Sequence, residues 1–272
     1  MFISGFLRRI DWSDPMIPRR TLGVSIIALV AIAALAAPFL TWNDPIRSGI
    51  AVLEGPTSAY WFGTDDLGRD VYARTVYGAR VSLVIGIGAA CVACTIGIPI
   101  GICAGYLGGK IDVALVQVID LFVAMPALIL ALIITAMIGP TMLNLVLVLG
   151  FVMWPTMARI VRGQVLALRE TVFVEAARAL GGSAGWIMRR HIWPNIARIV
   201  AAEFSITVSF AIFTSASLSF LGLGLPPPSP DWGGMVRDGF QYLVLNPAMS
   251  LGPGSAVAFT VLGFYLVGSS VR

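Results

Sequence analysis

Charge is scarce in this chain. Charged residues fill 12% of its 272 positions, and there is a single histidine. A soluble domain carries roughly 25% charge, so half the polar surface that a water-exposed fold needs is missing. Hydrophobic residues reach 58% and the mean hydropathy is +0.89. One soluble core of that composition is excluded, because folded proteins still expose a large surface. The lack of clustered His, Asp or Glu argues against a membrane-embedded enzyme. Cysteine is limited to Cys91, Cys94 and Cys103, all in one apolar run. The C-x-x-C spacing of Cys91 and Cys94 lacks the further ligands of a metal site, since His191 is far away in sequence. Small residues buried on one helix are the better reading, and there is no disulfide framework to locate.

What the chain has instead is a series of apolar runs of spanning length. Runs of about twenty residues cross the hydrocarbon core as helices. Six are expected, over 22–40, 83–104, 113–138, 143–160, 196–220 and 249–267. The first, nineteen residues long, reaches roughly 29 Å at 1.5 Å per residue. The fold class is therefore an all-α membrane protein, with residues 1–21 as a tail and 22–272 as the transmembrane domain. The N-terminal stretch is not a secretory signal, because its charges precede a full-length span and no small-residue cleavage pattern follows.

Breakers mark the spans. Gly97 and Pro99 interrupt the second, Pro126 kinks the third and Pro155 lies inside the fourth. Gly86, Ala90, Ala93 and Gly97 recur at helical spacing and give the second span a small-residue face for close packing. Ahead of it, Val71, Thr75, Val76 and Ala79 predict a short interfacial helix. The segments 41–80 and 221–247 are too rich in turn residues to span.

Orientation follows from the basic residues. With the N-terminus inside, thirteen fall on the cytoplasmic side, including Arg8, Arg9, Lys110, Arg159, Arg162, Arg169 and Arg272; five fall outside. Both termini and the loop 161–195 are expected in the cytoplasm, and 41–80 and 221–247 outside. The net charge of +4 is absorbed by topology and by anionic headgroups; membrane lipid is an expected partner and nucleic acid is not.

The polar loop 161–195 carries the strongest motif. Thr171 is placed to cap a helix over 172–180 that Gly181–Gly182 end, and Ser183 to cap a second over 184–191, before Trp193–Pro194 break the chain. Ala176, Ala177 and Ala179 would then form a low-relief surface between Glu175 and Arg178. Composition alone leaves two readings, a docking element for a partner or a loop whose arginines anchor the topology. Asp120 and Glu203 are the acidic residues inside spans; such groups default to functional roles, and both are placed where they pair with Arg or Lys or line a pathway. A nucleophile–base pair, a Walker-type loop and a metal cluster are all missing from the sequence.

Glu175-Ala176-Ala177, then Gly181, then Pro194 resembles the EAA loop of ABC-importer permeases. The stretches 62–83 (FGTDDLGRDVYARTVYGARVSL) and 218–235 (LSFLGLGLPPPSPDWGGM) resemble signature segments of one type, the second permease subunit of dipeptide, oligopeptide and nickel ABC importers. The likeness runs from about Ile17 onward. It departs where the family pattern has Ile-x-Leu-Pro and this chain has His191-Ile192-Trp193-Pro194, which makes His191 a loop residue. Family members also carry a short polar tail after the last span, whereas this sequence stops at Arg272.

The resemblance implies a type I ABC-importer permease in the bacterial inner membrane, importing di- or oligopeptides without chemistry of its own. It implies a heterodimer with a homologous second permease, two cytoplasmic ATPases that bind ATP and magnesium, and an extracytoplasmic peptide-binding protein. Glu175, Ala176, Ala177, Arg178, Ala179, Gly181, Gly182 and Pro194 would meet the ATPase. Asp65, Arg69, Asp70, Pro227, Pro228, Asp231, Trp232 and Gly233 would serve the external loops and the binding protein. A nickel, glutathione or other small-solute importer of the same architecture is the alternative. An ion-coupled secondary transporter predicts inverted repeats, which the sequence does not display.

Overall fold

A computed structural model describes residues 16–270 of the chain. Arg8, Arg9 and most of the expected tail lie outside the described residues, as does Arg272. The described part is helical, with one isolated β-bridge between Thr64 and Asp70. The helices are α1 Met16–Leu35, α2 Ala37–Leu40, α3 Val71–Leu107, α4 Gly109–Val123, α5 Ala127–Ile138 and α6 Met142–Arg169. After them come α7 Val172–Ala179, α8 Ala184–Ile187, α9 Trp193–Leu218, α10 Trp232–Phe240 and α11 Ala248–Ser269.

Five segments among the described residues are long and apolar enough to span, and the pair α4–α5, bent by 80°, makes a sixth. These candidate spans overlap the six apolar runs of the sequence, with four changes of shape. First, the interfacial helix expected before the second span is the start of that span: α3 runs unbroken for 37 residues through Pro99. Packing explains it, since Gly97, Gly101 and Gly105 face α6 one above the other. A Cβ there would sit 2.7 Å from Trp154 O, 2.6 Å from Ala158 O and 2.8 Å from Val165 Cβ respectively. Membrane helices tolerate a proline when neighbours hold the backbone this closely. The expected small-residue face is divided, because Gly86 lies against Ile212 of α9.

Second, Pro126 does more than kink its helix. It has an extended ψ of 121° and sits at the N-terminal boundary of α5, so the span is split in two. Third, α6 continues nine residues beyond the expected end at 160. Fourth, the chain does not break at Trp193–Pro194. A π-helical turn, Met188–Ile192, joins α8 to α9, and Pro194 falls in the first turn of α9, where a missing N–H costs little. Residues 184–223 therefore form one helical run of 40 residues.

One end of the bundle is closed by a cap built from 41–70 and 224–247. Asp70 is the N-cap of α3, accepting from the N–H groups of Tyr72 at 2.8 Å and Ala73 at 3.2 Å. Asp65 accepts from Arg69 Nε at 2.6 Å and lies 3.6 Å from Arg74 Nε, while Arg74 Nη1 donates to Pro45 O at 2.9 Å and Pro228 O at 3.3 Å. Trp232 donates its indole N–H to Thr75 O at 2.7 Å, over Gly78, whose Cβ would meet the ring at 2.5 Å. Asp231 caps α10 through Gly233 N and also accepts from Leu225 N, both at 3.2 Å. The short helices α7 and α8 form a hairpin at the opposite end.

Two outcomes test this architecture. Gly101→Val should separate α3 from α6 at a cost of roughly 1–3 kcal/mol, read as a lower melting temperature of the detergent-solubilised protein; Gly163→Ala, with nothing within 4 Å of the new Cβ, should leave it unchanged. Burial pushes the Asp231 carboxyl above its ordinary value of 3.8, and the N–H groups of Leu225 and Gly233 pull it back in part. An acid raised on folding contributes stability that is full below its unfolded pKa and is lost as pH rises through the folded one. The melting temperature of the wild type should therefore fall relative to Asp231→Asn as pH climbs from below 3.8 through the raised value; parallel curves would contradict it.

Candidate coupling site

The hairpin between α6 and α9 is mounted on three spans. Arg162 on α6 grips Asp112 at the start of α4 through two bonds, Nε–Oδ1 at 2.6 Å and Nη2–Oδ2 at 2.7 Å. One turn-pair further, Arg169 donates from Nη1 to Gly105 O of α3 at 3.2 Å. Beneath the hairpin lies an apolar cluster in which Val174, Ala177, Ile187 and Ile192 pack with Tyr106, Met157, Val161, Val165 and Ile196. Arg178 adds a cation–π contact, its guanidinium carbon 5.8 Å from the centre of the Tyr106 ring.

The turn itself is set by two glycines acting for different reasons. Gly181 has φ +82°, a left-handed conformation that glycine adopts without a Cβ clash. Gly182 is limited by space, since its Cβ would come 2.8 Å from Ala177 O. Ser183 caps α8, accepting from Trp186 N at 3.4 Å. Thr171 precedes α7 but its hydroxyl donates back to Leu168 O at 2.6 Å instead of capping.

Glu175, Ala176, Arg178, Ala179 and Gly181 are exposed, Gly182 is half-buried and Pro194 is exposed. Ala177 is not part of the low-relief surface: it is 7% exposed, turned with Val174 toward the core, because positions 174 and 177 share the inner side of α7 at helical spacing. The outer side carries Val172, Glu175, Ala176 and Ala179, and the surface continues through Leu180 and Trp186. Apolar groups this open mark an interaction surface. His191 lies on the π-helical turn instead of in a loop, its ring 4.8 Å from that of Trp186 and 6.2 Å from Phe173.

Six of the eight cap residues singled out in the sequence are inside the cap, away from its surface. Asp65, Arg69, Asp70, Asp231 and Trp232 are all buried, as is Gly233, whose Cβ would meet Ala216 O at 2.2 Å. They are internal ties, because unpaired backbone groups and charges in a compact cap need partners. Pro227 and Pro228 are exposed. Glu203 is buried on α9, whereas Asp120 is exposed on α4 and pairs with Arg159 of α6 at 2.5 Å. Sequence reasoning missed Asp112 and treated Arg159, Arg162 and Arg169 as topology markers. Their helical spacing on α6 was readable; their partners, some 40–60 residues away, were not.

Comparison with known proteins agrees with this layout. The dipeptide transport system permease protein DppC of Alkalihalophilus pseudofirmus is 38% identical over 92% of this chain and 83% of its own length. The glutathione transport system permease protein GsiD of Pectobacterium atrosepticum is 37% identical over 92% and 83%, and the oligopeptide transport system permease protein OppC of Bacillus subtilis 35% over 96% and 88%. The fold is shared with a chain of the inward-facing methionine ABC transporter MetNI, at a TM-score of 0.57, 21% identity and coverage of 71% of this chain and 92% of that one. Residues 97–272 match the family described as the binding-protein-dependent transport system inner membrane component. The chain belongs to that family and is a multi-pass permease subunit of an ABC importer.

Proposed function

We propose that this permease imports di- or oligopeptides across a bacterial cytoplasmic membrane, as half of a heterodimeric pathway worked by ATPases at the α7–α8 hairpin. The observation that carries the mechanism is the mounting of that hairpin. It is open to a partner on its outer side, and on its inner side it is continuous with α6 and with the helical run 184–223. The α-helical part of that run, the 26 residues of α9, is about 39 Å long at 1.5 Å per residue, and with the π-helical turns at its two ends the run reaches from the hairpin to the cap. A push on the hairpin is thus delivered to the far end of the bundle by a stiff element, where a flexible loop would dissipate it.

The hairpin end is assigned to the cytoplasm by the basic residues, which crowd it. Paired ATPases would seat on Glu175, Ala176, Arg178, Ala179 and Gly181, bind ATP with magnesium and close; the permeases would then open toward an external binding protein. Hydrolysis resets the cycle. The hairpin does work only if it binds the open and closed ATPase pair with different free energies. The peptide substrate is supported by the relatives whose names specify dipeptides and oligopeptides. Glutathione, itself a small peptide, is the second reading that a relative favours.

Glu175→Lys reverses the exposed charge at the docking surface, and Gly181→Asp puts a side chain where φ is +82°. In importers reconstituted with both permeases, ATPases and binding protein, each should lower peptide uptake by roughly tenfold or more, the equivalent of one lost charged contact. The amount of permease in the membrane should not change. Uptake at the wild-type rate in both variants would refute the assignment of the hairpin.

A further inference from the structure

Two ion pairs join α4 to α6, and they are built differently. Arg162–Asp112 is bidentate, with side chains 27% and 18% exposed. Arg159–Asp120 is made by one bond, Nη2 to Oδ1 at 2.5 Å, with side chains 51% and 58% exposed. A closed bidentate pair already fixes α4 on α6. The second pair leaves Asp120 Oδ2 and most of the Arg159 guanidinium open.

The surroundings indicate what they open onto. Ile111 and Val113, toward the start of α4, are exposed, and so are Leu121, Val123 and Leu128 beyond the pair. The pair is therefore bracketed on α4 by exposed apolar side chains. Ionisable groups on membrane-spanning helices face the bundle interior or a water-filled cavity, because lipid solvates them poorly. The adjoining polar positions agree: Gln117, one turn before Asp120, and Thr156, one turn before Arg159 on α6, are exposed too. With the pair they make a polar strip across two helices.

We propose that this strip lines an aqueous chamber and that Asp120 and Arg159 form a site in it for the charged ends of a zwitterionic solute. The ammonium of the solute takes the open carboxylate oxygen, and its carboxylate takes the free edge of the guanidinium. With no solute bound the two side chains neutralise each other, so the site competes with itself and holds its occupant weakly, as a transport pathway requires. This inference rests on the permease reading above and assigns the solute class that its chamber accepts; free peptide termini satisfy it.

The test uses the complete importer in proteoliposomes with dialanine as the probe. Asp120→Asn and Arg159→Gln should each slow ATP-driven dialanine uptake roughly tenfold, while recovery of the assembled complex and ATP hydrolysis stimulated by loaded binding protein stay at wild-type levels. A purely structural pair would instead reduce recovery and melting temperature, and that result would overturn the proposal. In a chain with Cys91, Cys94 and Cys103 replaced by Ser, Gln117→Cys should react with a charged, membrane-impermeant thiol reagent, and dialanine should slow the reaction. A Cys at 117 that does not react shows the strip covered by lipid or by the second permease and sinks the idea, as does labelling that dialanine leaves unaffected. If the wild-type importer carries no dialanine although its ATPase couples, the peptide reading itself fails and this inference with it; normal uptake by both neutral variants refutes this inference alone.

Discussion

The contact on which the rest of this structure depends is the approach of α3 to α6 along Gly97, Gly101 and Gly105. At each of these positions the facing atoms are backbone carbonyls or Cβ groups of α6, so close that a methyl group would collide. Lipid tails are as apolar as leucine, and burying apolar surface gives membrane helices little reason to associate. Close backbone packing supplies the dispersion contacts that do. Gly150 of α6 returns the contact by receiving Val92 of α3, and other pairs use the same device: Gly263 of α11 receives Ile26 of α1, and Gly268 lies against Ala202 O and Ile206 of α9.

Once α3 and α6 are joined, the two ends of the bundle acquire different chemistry. At the cap, charged residues are turned inward: Asp65, Arg69 and Arg74 pair with one another under loops whose carbonyls Arg74 also satisfies. At the hairpin, apolar residues are turned outward, including Val172, Leu180 and Trp186. The first pattern is what an irregular polar segment needs to hold one shape. The second is the surface on which the proposed docking rests. The helical run from Ala184 to Leu223 links them, so the inverted polarity of the two ends is a mechanical arrangement as well as a chemical one.

Much of this was legible in order along the chain. The apolar runs located the candidate spans, and the Glu175–Gly181–Pro194 spacing located a helical hairpin between α6 and α9, because helix length and turn chemistry are local properties. The breakers were less legible. Pro99, Pro126 and Pro194 are the same residue type in apolar surroundings, yet the first lies in an unbroken helix, the second splits a span and the third begins one. Their neighbours decide: Pro99 is clamped between glycine contacts to α6, Pro126 has no such clamp, and Pro194 follows a widened π-helical turn that removes the need for its N–H. Ala177 shows the same limit at smaller scale, since which alanine of an E-A-A motif faces inward depends on where the apolar cluster lies.

The sequence by itself determined that this chain is membrane-embedded and helical, which apolar runs form its long helices, and where the polar hairpin lies, since hydropathy, helix rise and turn residues act over a few residues at a time. Only the tertiary structure decided which signature residues of the outer segments are internal ties, and that Asp112 and Asp120, eight residues apart on one helix, meet α6 in two unlike ways. One is shielded and doubly bonded; the other is open and singly bonded. That difference arises from the angle at which two distant helices pack, a property that no local spacing encodes.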